Sequence, residues 1–477
     1  MVSLAGAVAA GALLRRPAPA SVVIVVLAVA MLRPRWLMLL MAGAVLCSTL
    51  SARAWSGAEP MRRGAVADRV TLLTDPRSLA GAVMAEARLD GRHVELWGRG
   101  SSGRRLARVL AGERIDISGT AAPVPRNRVA RARAEHIVGQ VSLGSVAKAD
   151  QGSALARSAN RVRRLLTQGA RTMPSAERTM YLGFVIGDDR DQPPDLIAAY
   201  RDTGLSHLTA VSGENVAFVL AVVGPLLRRL GARARLMVML LVIVWFTIVT
   251  RAEPSVLRAS TMAAIAAGAR VAGRPTAAIR VLALTVIGLL LIDPLLVHSV
   301  GFALSLGATA GIVLLSDPIA QRLPGPRGLI DPLALSIAAQ IGVLPVTLAV
   351  FGGVPLISPV ANVLAAPAAG PIMTWGLTVG LLAGLAPGWL CAALQFPAVL
   401  LVRWITLVAR VCAAIPVGDV RAEHLVPITV AAALMIARVA VRGCVADQRR
   451  RRGPRVRGGA RARASARRGR RSHVDGG

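Results

Sequence analysis

The chain has 477 residues, 54% hydrophobic and only 3% aromatic, with a formal net charge of +32 at pH 7. Its apolar residues fall in long runs, which excludes an ordinary water-soluble enzyme of about three domains and points to membrane helices. The charge is uneven, with twelve arginines within residues 449–471, so a basic balance alone does not make this a nucleic-acid-binding protein.

Residues 1–55 read as N-terminal transmembrane helices, with apolar stretches at 3–14, 21–32 and 36–51. No basic n-region follows Met1, so the first stretch reads as membrane rather than as a cleaved leader. The pattern then changes. Residues 60–150 carry sixteen Lys or Arg against nine Asp or Glu, in short alternating runs at 65–74, 82–89, 93–97, 113–119 and 134–143. Gly and Pro punctuate these runs, so about five strands of a small β-barrel of the oligonucleotide-binding (OB-like) kind are expected. Such barrels hold single strands with basic grooves and aromatic stacking platforms. Here Trp97 is the lone aromatic, so DNA contact by the insert is weakly encoded beside a structural or assembly role.

Residues 151–200 read as amphipathic, interfacial helices. Leu155, Ala159, Val162 and Leu166 share one face and Arg157, Arg161 and Arg164 another, which predicts a helix lying on the bilayer surface or guiding a polyanion. An acidic approach, GDDRDQPPD at 187–195, follows.

The main membrane domain spans 203–442, with helices expected at 207–227, 236–250, 254–271, 277–292, 297–315, 332–350, 355–385, 389–414 and 425–441. The third from last holds Pro359, Pro367 and Pro371 and is expected to be broken or kinked. Arg228, Arg229, Arg233 and Arg235, then Arg270, Arg274 and Arg280, then Arg322 and Arg327 alternate with loops near 292–298 and 351–359 that lack Lys and Arg. By the positive-inside rule the basic loops and the basic, disordered tail at 443–477 are cytoplasmic, and the barrel is extracytoplasmic. The expected fold is therefore a mainly α-helical polytopic membrane protein with a small extracytoplasmic OB-like β-barrel insert.

The first of these helices opens HLTAVSGENVAFVL at 207–220. An ionisable group in a membrane segment costs about 2.5–3.5 kcal/mol on insertion scales, so it faces a cavity or a partner. His207, Ser212, Gly213, Glu214, Asn215, Arg258, Gln340 and Asn362 are the candidates for a polar pathway. For the amides the plainer role is interhelical hydrogen bonding. For Arg258 it is a pair with Glu253 or Glu214. His207 and Ser212 lack an orienting acid in a recognisable motif, so no catalytic residues are expected.

Several ordered segments carry a resemblance to a known family: TGLSHLTAVSGENVA at 203–217, EPSVLRA at 253–259, DPLLVHSVGFALS at 293–305, AAQIGVLPV at 338–346 and SPVANVLAAP at 358–367. Together they resemble the ComEC competence-protein family, in the form without a C-terminal metallo-β-lactamase-like domain. The resemblance implies an integral plasma-membrane channel for uptake of single-stranded DNA in natural transformation. It also implies a DNA receptor protein, a cytoplasmic helicase or ATPase and a homo-oligomer as partners, besides the lipid bilayer. Two residues depart from the family pattern: Glu214 where a small or apolar residue is usual, and Ala303 where glutamine is. The six histidines never reach the H-x-H-x-D-H spacing of a metal-dependent nuclease, and no GxxxxGK[ST] loop is present, so no enzyme activity, metal or cofactor is expected. The alternative reading is a transporter or flippase for a smaller or lipid-linked anion.

Overall fold

The computed structural model describes residues 1–13, 35–56, 59–79, 81–209 and 212–421. The helices expected at 21–32 and 425–441 and the basic tail at 443–477 lie outside the described residues. The chain divides into two compact units, Met1–Val420 and Arg421–Gly477, and the elements named below belong to the first.

Among the described residues, two helices come first, α1 (Val2–Leu13) and α2 (Arg35–Ser56). Six strands follow: β1 (Gly64–Leu72), β2 (Arg77–Leu79), β3 (Ala82–Leu89), β4 (Arg92–Gly98), β5 (Arg114–Ala122) and β6 (Ile137–Asp150). They form one sheet in the order β1-β5-β6-β4-β3-β2, and β1 also pairs with β3, which closes five of them into a barrel. The β4–β6 pairing is parallel and the others are antiparallel. Alternation decides which side chains enter: Val94 and Leu96 of β4 and Ile115 and Ile117 of β5 are buried, each contributing about 1.5–3 kcal/mol of apolar burial. A short helix, α3 (Gly100–Leu106), joins β4 to β5 and inserts Leu106 into the same core. A second, α4 (Val129–Ala134), joins β5 to β6.

Beyond the barrel run α5 (Ala154–Gly169), α6 (Ser175–Ile186), α7 (Pro194–Asp202), α8 (Gly213–Val223), α9 (Ala232–Val249), α10 (Pro254–Val271), α11 (Ala278–Ile292), α12 (Val300–Ala320), α13 (Arg327–Phe351), α14 (Ser358–Trp375) and α15 (Gly388–Ala413). Among the described residues, five stretches are long and apolar enough to cross a membrane: Ala232–Val249, Val300–Ala320, Arg327–Phe351, Ser358–Ala383 and Gly388–Ala413. Helices α1, α8 and α11 are apolar but shorter. The chain is a helical membrane protein with a small barrel.

Three expectations change. The helix expected from 207 starts only at Gly213, because Ser206–Leu208 is a 3-10 turn. Of the break or kink expected in the proline-rich segment, the break is absent at its prolines: α14 runs through Pro367 and Pro371, and a π-helical turn at Gly376–Gly380 follows it. Finally, α5 does not lie on a surface by its apolar face. Ala159 and Leu166 are fully buried in one core with Tyr181 and Phe184 of α6, Tyr200 of α7, Ala361 and Ile372 of α14, and Val402 and Ile405 of α15. Protein therefore covers Ala159 and Leu166 of that stripe, with Val162 packed against the same core, while Leu155 at its start stays exposed.

The barrel docks where helices end. Arg163 of α5 donates through Nη1 to the carbonyls of Ile186 and Val249, the last residues of α6 and α9. Its Nη2 stands 2.8 Å from Asp75 of the β1–β2 loop and 3.7 Å from Asp188. Arg251, just past α9, also holds Asp75 at 2.8 Å, and Arg190 clamps Asp188. Burial alone would push the Asp75 carboxyl up, but the guanidiniums of Arg163 and Arg251 outweigh it and hold it down at about 2. Arg251 and Ala252 both sit at positive φ, 62° and 54°, strain of about 1–3 kcal/mol each that this network sustains. A second contact joins His136 of the barrel to Asp293 after α11, at 3.1 Å. The arginines of the basic loops mark the opposite helix ends: Arg233 and Arg235 begin α9, Arg270 ends α10 and Arg280 begins α11.

Candidate membrane pathway

Helix α8 begins at a cap that its sequence spells out. The Ser212 hydroxyl oxygen accepts from the Glu214 backbone N–H at 3.2 Å and donates to Asn215 Oδ1 at 3.0 Å. Asn215 is fully buried, and its Nδ2 donates to the Phe184 carbonyl at 3.1 Å, tying α8 to α6. Expected either to line a pathway or to bond between helices, Asn215 has its amide engaged between α8 and α6.

Gly213 faces α10. A Cβ there would stand 2.8 Å from Arg258 Nη2 and 2.9 Å from Ala259 Cβ, so only glycine lets α8 approach the guanidinium this closely. Pro254 opens α10, where its fixed φ suits the first turn and its missing N–H costs nothing. Arg258 follows one turn later and is 8% exposed. Its Nε donates to Ser305 of α12 at 2.7 Å, and Nη1 approaches the Met262 sulfur at 3.2 Å. Among the described residues it forms no ion pair, neither with Glu253 nor with Glu214, against the plainer expectation. Glu214 is exposed, and among the described residues its carboxylate has no partner either. Ser305 is carried by α12, whose Gly307 and Gly311 lie against Gly342 and Ala338 of α13, small residues that let the two backbones meet.

A second group of candidates gathers around α14. His207 is exposed, and its Nδ1–H donates to the Gly204 carbonyl at 3.0 Å. Gly204 in turn packs on Ser358, whose hydroxyl accepts from Asn362 Nδ2 at 3.2 Å. Gln340 of α13 donates to the Pro355 carbonyl at 3.1 Å, just before α14. Asn362 and Gln340 are half-buried, each with its amide nitrogen engaged. The structure thus brings Gly213, just after the Ser212 cap, together with Arg258 and Ser305, and ties Asn362 to Ser358, on which Gly204 packs. Among the described residues it joins Arg258 to no acid.

Sequence reasoning missed Ser305, Met262 and the docking network of Asp75, Arg163, Asp188, Arg190 and Arg251. Arg163 was the legible signal: it interrupts the apolar side of α5, off the face that carries Arg157, Arg161 and Arg164. A cation there is buried only if carboxylates meet it.

Comparison with known proteins agrees with this architecture. No solved structure matches the chain. ComE operon protein 3 of Bacillus subtilis (strain 168) is 27% identical over 197 residues, 41% of this chain. The match covers 25% of that relative's own length. A family model described as Competence protein matches residues 184–444, more than half of the chain and the part that holds Gly213, Arg258, Ser305 and Asn362. The chain therefore belongs to the Competence protein family, the ComEC family that its ordered motifs resemble.

Proposed function

We propose that this protein is a plasma-membrane channel that admits single-stranded DNA during natural transformation. The observation that carries the reading is Arg258. It is a buried guanidinium between α8, α10 and α12, and among the described residues it meets a hydroxyl and a thioether rather than a carboxylate. A guanidinium left in that state has free capacity for phosphate oxygens, which match its planar fork. Membership of the Competence protein family supports DNA as the substrate. The barrel side of the helices is then the outer face and the arginine-rich ends the cytoplasmic one.

On this reading the protein catalyses no reaction. A cytoplasmic helicase or ATPase supplies the driving force, a DNA receptor delivers the strand, and copies of the chain can assemble side by side. Passage needs the carboxylate of Glu214 to be neutralised or turned aside as phosphates pass. The test is deletion in the native host under competent conditions, with labelled DNA followed into the cytoplasm. Loss of entry, restored by the wild-type chain but not by Arg258→Ala, is the expected result. Unchanged entry and transformation after deletion would overturn the channel and favour a transporter of a smaller or lipid-linked anion.

A further inference from the structure

A cleft of about 360 Å³ opens between the barrel and α5, away from Arg258. Its lining includes Arg108 and Leu110 of the barrel, Arg163, Arg164 and Gln168 of α5, and Arg190, with no carboxylate among the described residues. The acids behind it are outnumbered. Asp75, Asp188 and Glu113 are shared among Arg163, Arg251, Arg190, Arg164 and Lys148, three carboxylates for five cations. Arg163 is buried, yet its Nε–H has no acceptor among the described residues, an arrangement native proteins rarely leave without a ligand or water. Arg108 is exposed and joins no ion pair among the described residues.

Arginines border the cleft on both sides. On α5, Arg157, Arg161 and Arg164 recur at helical spacing on an exposed face, and Arg164 reaches the cleft. On the barrel side Arg108, two residues past the end of α3, reaches the cleft, and Arg104 stands on the last turn of α3. The barrel face formed by its second and third strands, which barrels of this kind commonly use for oligonucleotides, is different. There Glu86 and Glu95 stand directly opposite each other on β3 and β4. Trp97 beside them is capped by Arg128, 6.0 Å from its ring centroid.

We propose that this cleft is a binding site for the phosphodiester backbone of single-stranded nucleic acid, with Arg108, Arg163 and Arg164 meeting phosphate oxygens. Its identity as a strand in transit rests on the uptake reading above. Cations on both sides, Arg108 facing Arg163, Arg164 and Arg190, with Arg161 and Arg157 continuing along the exposed face of α5, suit successive phosphates of one polymer. A lipid headgroup would present a single phosphate, and Ala107 and Leu110 are the only apolar lining residues among those described, too little for acyl chains. With no aromatic ring in that lining, binding follows the backbone and is indifferent to sequence.

The test uses the full-length protein in zwitterionic detergent and a fluorescent oligodeoxynucleotide, with affinity measured against salt concentration. Arg108→Ala is expected to weaken binding about tenfold at low salt and to flatten the log–log salt slope by about 0.7 for each phosphate no longer neutralised. Arg108→Lys should keep most of both. Arg108 holds up no ion pair among the described residues, so an unchanged unfolding temperature separates the effect from misfolding. Wild-type affinity and slope in both Arg108→Ala and Arg161→Ala would overturn the proposal. So would a loss seen only with phosphatidylglycerol-containing vesicles, which would make the cleft a lipid site. If Arg108→Ala loses oligonucleotide binding while gene deletion leaves import intact, the cleft stands and the uptake reading fails. If deletion abolishes import while Arg108→Ala binds normally, the reverse holds.

Discussion

Arg163 of α5 and Asp75 of the barrel stand 2.8 Å apart, both almost fully buried, at the point where two membrane-side helices end. The pair ties the soluble and membrane parts of the chain through groups that neither part could bury alone. Desolvating two charges costs several kcal/mol each, and here Arg251, Asp188 and two helix-terminal carbonyls share the compensation. The barrel is thereby held in a defined place on the helices.

Removing one partner should expose that cost. Asp75→Ala is expected to lower stability by about 3–5 kcal/mol, because it leaves Arg163 buried with less compensation. Thermal unfolding in detergent and protease sensitivity of residues 60–150 measure it. The pH dependence has a definite sign. Asp75 titrates at about 2 when folded, below its unfolded value, so its contribution is present above about pH 4 and is lost as pH falls towards 2. A variant that unfolds like the wild type at pH 7 would show that the barrel does not depend on this pair.

Glu86 carries the opposite sign. Burial, with Glu135 and Glu95 nearby and only Arg77 opposing, pushes its carboxyl up to about 7. Its folded pKa exceeds the unfolded one, so the stability of the protonated form is present below about pH 4.5 and is lost as pH rises through 7. Glu86→Gln should therefore stabilise the protein at pH 8 by about 1–2 kcal/mol, after allowance for partial exposure, and change little at pH 4. Unfolding temperatures at the two pH values decide it.

Gly213→Ala tests the pathway geometry. The added methyl would meet Arg258 Nη2 at 2.8 Å and push either α8 or the guanidinium aside. Labelled-strand entry is expected to fall at least about tenfold, since misplacing a charged group by about 1 Å commonly costs more than that. Membrane insertion should be normal. Gly288→Ala, with open space around its added carbon, is the control and should import like the wild type. Equal import by both variants would remove Arg258 from the path.

Trp97→Ala separates the two faces of the barrel. The indole Nε1–H donates to Glu95 at 2.9 Å, and Arg128 covers the ring while also pairing with Glu95 at 2.6 Å. The ring is thus a structural part of the barrel wall and not a free stacking platform. The substitution should cost about 1–2 kcal/mol of stability, because it removes the ring's packing and its attraction for the guanidinium. Oligonucleotide affinity should not change. A drop in affinity comparable to that of Arg108→Ala would return the strand to the β3–β4 face.

Much of this architecture was legible from local patterns. Alternation at 93–97 and 113–119 announced strands, and apolar runs announced helices, because both signals lie within a few neighbouring residues. The helix start at Pro254 was readable for the same reason, whereas the cap at Ser212 was hidden by the apolar run that seemed to begin at 207. The amphipathic stripe of α5 was equally clear, but its covering was not: a bilayer and a protein core ask for the same apolar residues. The prolines of α14 do not break it, because neighbouring helices can support a proline-containing helix that would break in isolation.

The sequence by itself determined the family, the membrane character, the barrel and the distribution of charge between loops, since each depends on residue type and short spacing. Only the tertiary structure decided which polar groups are already spent. Asn215 and Arg258 looked alike as polar intruders, yet Asn215 is closed by Phe184 whereas Arg258 meets only a hydroxyl and a thioether among the described residues. Partners such as Asp75 for Arg163 and Ser305 for Arg258 lie far away along the chain. The free energy of a buried charge depends on those neighbours in space, which local sequence does not specify.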